Sequence, residues 1–215
     1  MKALFLSILA LLPAAASAQR DTLGVLERSS VFSAEDERAV AGFHTESPAM
    51  MLYRSEQSLS QISLRIDLRR EQEALLQPLG DGAFDGGFYA ESYRRLSERS
   101  ATWADARYVR GNRRNVCWNS TADYLLLYPC ITADSAGGNL STEEYAFGGG
   151  YVHRVGRFDL AIRGDYRAGQ EYRQVDPRPH NVVSDFTIKL GVGMQFPLYV
   201  LGLDLQGRLY KQDQD

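Results

Sequence analysis

Lysine is nearly missing from this sequence. Of the 24 lysine and arginine residues among 215, only three are lysine. Aspartate and glutamate number 27, so the formal net charge is −3, and the composition predicts neither a nucleic-acid partner nor an acidic tail. Long hydrophobic runs are also missing after residue 18, so no transmembrane helix is predicted in the remainder of the chain.

Motifs for enzymatic chemistry are missing as well. The histidines His44, His153 and His180 are scattered without the spacing of metal ligands. No Gly-x-Ser-x-Gly nucleophile elbow occurs, and the glycines at 148–150 lack the Lys-Ser/Thr pair of a phosphate-binding loop. These glycines fall in a predicted strand, where they would permit a bend or bulge. We therefore predict no enzyme, no metal site and no cofactor.

Cysteine is limited to Cys117 and Cys130, which lie in the same predicted loop. In an oxidising compartment the two thiols could form a disulfide that closes this loop. Two unrelated thiols are the other interpretation, and the sequence leaves both open.

The N-terminus has the organisation of a secretory signal peptide. Lys2 provides a positive n-region, residues 3–12 are apolar, and small residues at 16–18 suit cleavage after residue 18. The apolar run is too short for the roughly 20 residues that a membrane-spanning helix needs. We predict a cleaved signal peptide (1–18), a periplasmic N-terminal segment that could partly plug the fold (19–57) and a β-structured part (58–215).

From residue 58 onward the hydrophobic period is two, which is typical of strands and not of helices. In 62–69, for example, isoleucine and leucine alternate with serine, arginine and aspartate. About seven antiparallel strands are predicted in this way: 62–69, 84–96, 102–110, 142–154, 158–172, 183–195 and 201–209. Residues 111–140 are predicted as a long irregular connection, in which 124–128 could form a further short strand.

Two features of these strands predict an up-and-down transmembrane β-barrel. One face of each strand is charged and the other aliphatic, as in barrels that face lipid outside and water inside. Short turns follow the second, fourth and sixth strands, and long loops follow the first, third and fifth. This parity matches the short periplasmic turns and longer external loops of outer-membrane barrels. Because a soluble β-sandwich shows the same alternation of faces, a periplasmic sandwich that binds a glycan or a protein remains the alternative.

The charged face would line the lumen of such a barrel. Its residues carry both signs, so they could form a solute path or could fill the interior by neutralising one another. The lumen-facing candidates are Arg65, Asp67, Arg69, Glu91, Asp105, Arg107, Arg163, Asp165 and Arg167. Between the fifth and sixth strands, Asp176, Pro177, Arg178 and Pro179 form a stiff external segment that could contact a ligand or brace its loop.

Seven strands make an incomplete barrel. Bacterial single-chain barrels usually have an even number of strands, and lipid cannot satisfy an open sheet edge. Residues 211–215 predict a polar loop in place of a closing strand. We therefore expect either the front portion of a longer barrel or several chains that close one barrel together.

Four sequence motifs resemble an uncharacterised family of Gram-negative outer-membrane β-barrel proteins. They are Arg107–Asn112, Tyr128–Ser135, Glu143–Tyr151 and Tyr172–Asn181. The resemblance covers residues 45–215 and matches the N-terminal part of longer members. It implies a barrel fold and an outer-membrane location, and it supplies no catalytic residue.

As function we expect a porin-like solute channel or an anchor or export component in the outer membrane. Its expected partners are outer-membrane lipid, the barrel assembly machinery, and a small solute or surface partner of unidentified type.

Overall fold

Seven long antiparallel strands form one sheet in the order in which they occur along the chain. The computed structural model describes residues 47–54, 58–133, 135–173 and 179–214. The strands are β1 (Ser58–Arg70), β2 (Gly82–Ser97), β3 (Ser100–Val116), β4 (Gly138–Val155), β5 (Phe158–Tyr172), β6 (His180–Gln195) and β7 (Val200–Gln214). The short helical elements are an N-terminal 3₁₀ helix (Pro48–Tyr53), a second 3₁₀ helix (Gln77–Leu79) and a single α-helical turn, α1 (Tyr124–Leu127).

The prediction of an all-β antiparallel fold with seven strands is confirmed. The sheet is not closed, since within the described residues the outer edges of β1 and β7 pair with no strand. The chain divides into the units Met1–Thr45 and Glu46–Asp215, and all the described residues belong to the second. The predicted signal peptide and most of the predicted periplasmic segment lie outside the described residues.

The connections between strands alternate in length, as predicted. Short turns join β2 to β3, β4 to β5 and β6 to β7, at 98–99, 156–157 and 196–199. The other three connections are longer: 71–81, 117–137 and 173–179. All the short turns therefore lie at one end of the sheet, the short-turn end, and all the longer connections lie at the opposite, long-loop end.

Two local predictions were wrong. Residues 124–127 form α1 and not a strand, because β3 and β4, which the loop joins, are already paired on both edges and offer no edge to a new strand. The polar residues from Lys211 to Gln214 continue β7 and are not a loop, since Lys211 pairs with Ser184 and Gln214 with Asn181 of β6.

The three glycines at 148–150 produce no bulge, since β4 keeps an unbroken register with β5. They are needed for close approach instead. A Cβ atom at Gly150 would lie 2.3 Å from the indole ring of Trp103, and one at Gly148 would lie 2.3 Å from a carboxylate oxygen of Asp165. The side chains of neighbouring strands thus occupy the space above Gly148 and Gly150.

The N-terminal 3₁₀ helix lies on one face of the sheet, called here the inner face, near the short-turn end. Its side chains pack with those of β2 to β5 in the main apolar cluster: Ala49, Met51, Leu52, Tyr93, Ala101, Trp103, Val152 and Ala161. Tyr93 also donates a hydrogen bond of 3.0 Å to the Met51 carbonyl, and Arg95 donates one of 2.9 Å to the Leu52 carbonyl. Apolar burial and backbone capping together hold this helix against the sheet.

The opposite, outer face of the sheet is aliphatic and exposed. Along β1, Ile62, Leu64 and Leu68 keep 66, 80 and 77 % of their surface accessible, although each is a large apolar side chain. Along β7 the same holds for Leu203 and Leu205. Among the described residues, no helix combines the length and the apolar character needed to cross a bilayer.

Replacement of Gly150 by alanine should destabilise the fold. The added methyl group would collide with Trp103 and with the Ile162 carbonyl, which is 2.7 Å from the Cβ position, at a cost of about 1–3 kcal/mol for overpacking. The matched control is Gly164→Ala on the outer face of β5, where no atom lies within 4 Å of the Cβ position. Urea unfolding followed by tryptophan fluorescence measures both, and equal effects would contradict the packing argument.

Candidate functional site

A cavity of about 300 Å³ lies on the inner face, towards the long-loop end. Its lining is polar and contains charges of both signs, among them Asp67, Asp85, Arg107, Arg113, Asp123, Glu144, Arg167 and Glu171. The N-terminal 3₁₀ helix covers the other end of the same face. This cavity is the best candidate for a functional site in the described part of the chain.

The predicted lumen-facing residues share the inner face. Ser63 of β1 pairs with Tyr89 of β2, and Tyr89 pairs with Arg107 of β3, so the side chains of these three residues point to the same face. Alternation along each strand then places the remaining candidates on that face as well. All nine candidates lie on this face: Arg65, Asp67, Arg69, Glu91, Asp105, Arg107, Arg163, Asp165 and Arg167. Asp67, Arg107 and Arg167 line the cavity itself.

Arg167 is the centre of an ion-pair network across the sheet. Its guanidinium donates to Asp123 at 3.0 Å, to Glu144 at 3.2 Å and to Asp185 at 3.3 Å. Asp185 also accepts from Arg208 at 2.7 Å. One arginine in the middle of the sheet therefore neutralises carboxylates from β4, from β6 and from the loop between β3 and β4.

Two smaller ion-pair groups flank this network. Towards the short-turn end, Arg163 bridges Asp165 and Asp105, with 2.8 Å to the latter. Towards the long-loop end, Arg113 contacts Asp85 at 2.6 Å. The Asp85 carboxylate leans over Gly111, where a Cβ atom would collide with it. The charged face is thus internally paired over much of its length.

The loop between β3 and β4 folds back over the inner face. Its segment Asn119–Asp123, called here the strap, lies against β5, β6 and β7. Asn181 of β6 donates 2.7 Å to the Ser120 carbonyl, and Gln214 of β7 donates 3.1 Å to the same oxygen. Tyr210 of β7 donates 3.0 Å to Asp123. Sequence reasoning missed the strap, and only the unusual length of its loop signalled it.

The two cysteines are free thiols in the structure, Cys117 half-buried and Cys130 exposed. Hydrogen bonds close their loop instead, because Ser120 donates from its backbone to the Thr132 carbonyl at 3.0 Å. No group of three or more histidine, cysteine or acidic side chains in the described ranges could hold a metal ion.

The predicted external segment is only partly described. Asp176, Pro177 and Arg178 lie outside the described residues. Pro179 is described, and its carbonyl accepts a hydrogen bond of 3.2 Å from the backbone of Arg173, which closes the base of the connection between β5 and β6.

At the short-turn end the fully buried Asp159 joins the N-terminal 3₁₀ helix to the sheet. It accepts 2.5 Å from the Tyr53 hydroxyl and 2.6 Å from Arg154. Burial raises the pKa of the Tyr53 hydroxyl to about 12, and the hydrogen bond to Asp159 acts in the same direction. The neutral phenol is therefore the form that the fold stabilises.

Residues 48–215 match a family described as a family of unknown function (DUF6850). No curated protein and no solved structure matches the chain.

Replacement of Arg167 by glutamine should lower the free energy of unfolding by about 2–3 kcal/mol, because Asp123 loses its cation and Glu144 and Asp185 keep only Arg107 and Arg208. The matched control is Lys211→Gln. Its ion pair with Asp213 is largely exposed, so its loss should change stability by at most about 1 kcal/mol. Urea unfolding of both variants makes the comparison, and a smaller effect at Arg167 would contradict the network.

The contribution of Tyr53 should depend on pH in one direction. Its pKa is higher in the folded than in the unfolded state, so its stabilisation is complete below about pH 10 and is lost as the pH rises through about 12. The difference in unfolding free energy between the protein and Tyr53→Phe, measured from about pH 9 to 12, should shrink towards the alkaline end. A constant difference would argue against the Asp159 contact.

Proposed function

Because the chain belongs to the family of unknown function (DUF6850), which carries no activity in its description, we propose a function from the structure of the chain itself. The protein is an outer-membrane β-barrel protein, and its seven strands form part of the barrel wall. The inner face forms a path for small polar solutes.

The observation that carries this proposal is the exposed aliphatic outer face. Large apolar side chains are exposed on one side of most strands, from Leu64 on β1 through Ile162 on β5 and Leu190 on β6 to Leu203 on β7. A soluble protein rarely exposes so large a continuous apolar surface to water. Contact with lipid acyl chains removes that cost, and the paired charges of the inner face then lie on the watery side.

Aromatic side chains border this aliphatic surface. Tyr108 and Tyr145 pack on the outer face near the middle of β3 and β4, with ring centroids 4.9 Å apart. Beyond them towards the long-loop end, the next outer-face pair is the charged pair Arg110 and Glu143. Phe196 and Tyr199 stack at the short-turn end, with centroids 4.6 Å apart. Aromatic belts at the two membrane interfaces are typical of outer-membrane barrels.

The soluble sandwich is the less supported alternative. A sandwich buries its apolar face against a second sheet, and the described residues contain one sheet. Here the apolar face is the exposed one, and the elements that cover part of the other face are a short helix and a loop segment. The arrangement is the reverse of the one that a sandwich needs.

A solute path is favoured over a simple anchor by the cavity. An anchor needs only a lipid-facing surface, whereas here a polar space of about 300 Å³ persists among paired charges. In lipid the outer edges of β1 and β7 require pairing partners, so closure of the sheet is part of the proposal.

The first test is fractionation of the expressed protein, with migration on a denaturing gel before and after heating. Recovery in the outer-membrane fraction with heat-dependent migration is expected. Monodisperse soluble protein without detergent would contradict the proposal. Planar-bilayer conductance of the purified protein then separates a solute path from an anchor, which would be silent.

Replacement of Leu190 by arginine on the outer face of β6 should destabilise the protein in lipid vesicles by about 2–4 kcal/mol, since a cation then faces acyl chains. The matched control is Lys189→Arg, which places the same side chain one position away on the inner face. Urea unfolding from vesicles measures both. If Leu190→Arg is as well tolerated as the control, the outer face does not contact lipid.

A further inference from the structure

We propose that the strap (Asn119–Asp123) is a releasable gate over the cavity. In the closed form, which the structure shows, it is held to β5, β6 and β7 by polar contacts. Release of those contacts opens the cavity towards the long-loop end. The passage of solutes through the opened cavity rests on the proposed function, whereas the detachment of the strap is testable without it.

The two covers of the inner face are held by different forces. The N-terminal 3₁₀ helix buries Met51 and Leu52 against Trp103 and Val152, so its removal would expose apolar surface to water. The strap buries mainly the polar side chains of Asn119–Thr121 and the small Ala122. Hydrogen bonds from such groups can be exchanged for water at a small net cost. Of the two covering elements, the strap is therefore the one that can detach from the inner face.

The sheet remains electrically balanced when the strap leaves. Arg167 is the principal cation that holds Asp123, with hydrogen bonds from both terminal nitrogens of its guanidinium. It keeps Glu144 and Asp185 as partners in the absence of Asp123. Asp123 itself becomes a solvated carboxylate. The sheet therefore contains no uncompensated charge whether the strap is bound or released. Both arrangements are then low enough in free energy to be populated, as a two-state gate requires.

The loop has backbone positions that suit a hinge at its two ends. Trp118 precedes the strap with φ of 61°, and Gly137 ends the loop with φ of 62°. Gly137 adopts this value without strain and can also leave it freely, whereas Trp118 is a bulky residue that loses backbone strain when it leaves the left-handed region. Rotation at these positions would move the strap while the pairing of β3 with β4 is kept.

The experiment uses a thiol in the strap as a reporter. In a Cys117→Ser and Cys130→Ser background, Ala122→Cys introduces a thiol at a buried position. Its labelling rate with a water-soluble maleimide reports how often the strap is open. Adding Asp123→Asn keeps the side-chain size and the preference for a left-handed backbone but removes the charge. We expect labelling to be about tenfold faster or more than in the parent, because the hydrogen bonds from Arg167 to residue 123 lose their charged acceptor.

The matched control is Glu144→Gln, which removes a different carboxylate from the same Arg167, together with the pair between Glu144 and Arg107, and leaves Asp123 unchanged. Its labelling rate should stay near that of the parent. A second release variant, Tyr210→Phe, removes the hydroxyl that β7 donates to Asp123 and should give a smaller acceleration in the same direction. Urea unfolding of each variant identifies any that are globally unstable.

Swelling of proteoliposomes in arabinose, measured on the same variants, separates the two proposals. Faster labelling together with faster swelling supports both the gate and the solute path. Faster labelling without any swelling supports the gate and overturns the solute path. If neither release variant accelerates labelling while both remain folded, the strap is a fixed part of the structure and the gate is wrong.

Discussion

The pairing of charges on the inner face is the constraint on which the rest of the structure depends. In an antiparallel strand every aliphatic residue on the outer side has neighbours on the inner side, so the exposed leucines and isoleucines come with a dense row of arginines and carboxylates. That row is stable only if its members neutralise one another. Arg167 does so for three carboxylates at once, one of which comes from a loop distant in sequence.

Period-two alternation predicts strands and faces well because it is local, and β5 at 158–172 was predicted to the residue. The alternation of short and long connections is also predictable, because the turn residues mark it locally. The partners of Asp123 are not predictable from the sequence, since Arg167 and Tyr210 are 44 and 87 positions away and nothing in the loop itself indicates them. The polar end of β7 resembled a loop for a related reason. Its glutamines are strand residues because their backbone pairs with β6, and the strap supplies a partner for the Gln214 side chain.

The glycines of β4 illustrate a requirement that cannot be predicted from a single strand. A run of glycine in a strand suggests irregular backbone, yet the register at Gly148 and Gly150 is regular. The glycines leave free space for neighbouring side chains, since Trp103 and Asp165 lie where Cβ atoms would be. Such volume is specified jointly by three strands. It could be inferred from one strand only if the register were already known.

The parity of the sheet has a geometric consequence for any closed assembly. Both β1 and β7 run from the short-turn end to the long-loop end. Successive strands alternate in direction, so the first and the seventh strands of the sheet run the same way. Direct joining of these edges, within one copy or around a ring of similarly oriented copies, would create a parallel seam. A cylinder with antiparallel pairing throughout must therefore place an odd number of additional strands between each β7 and the next β1.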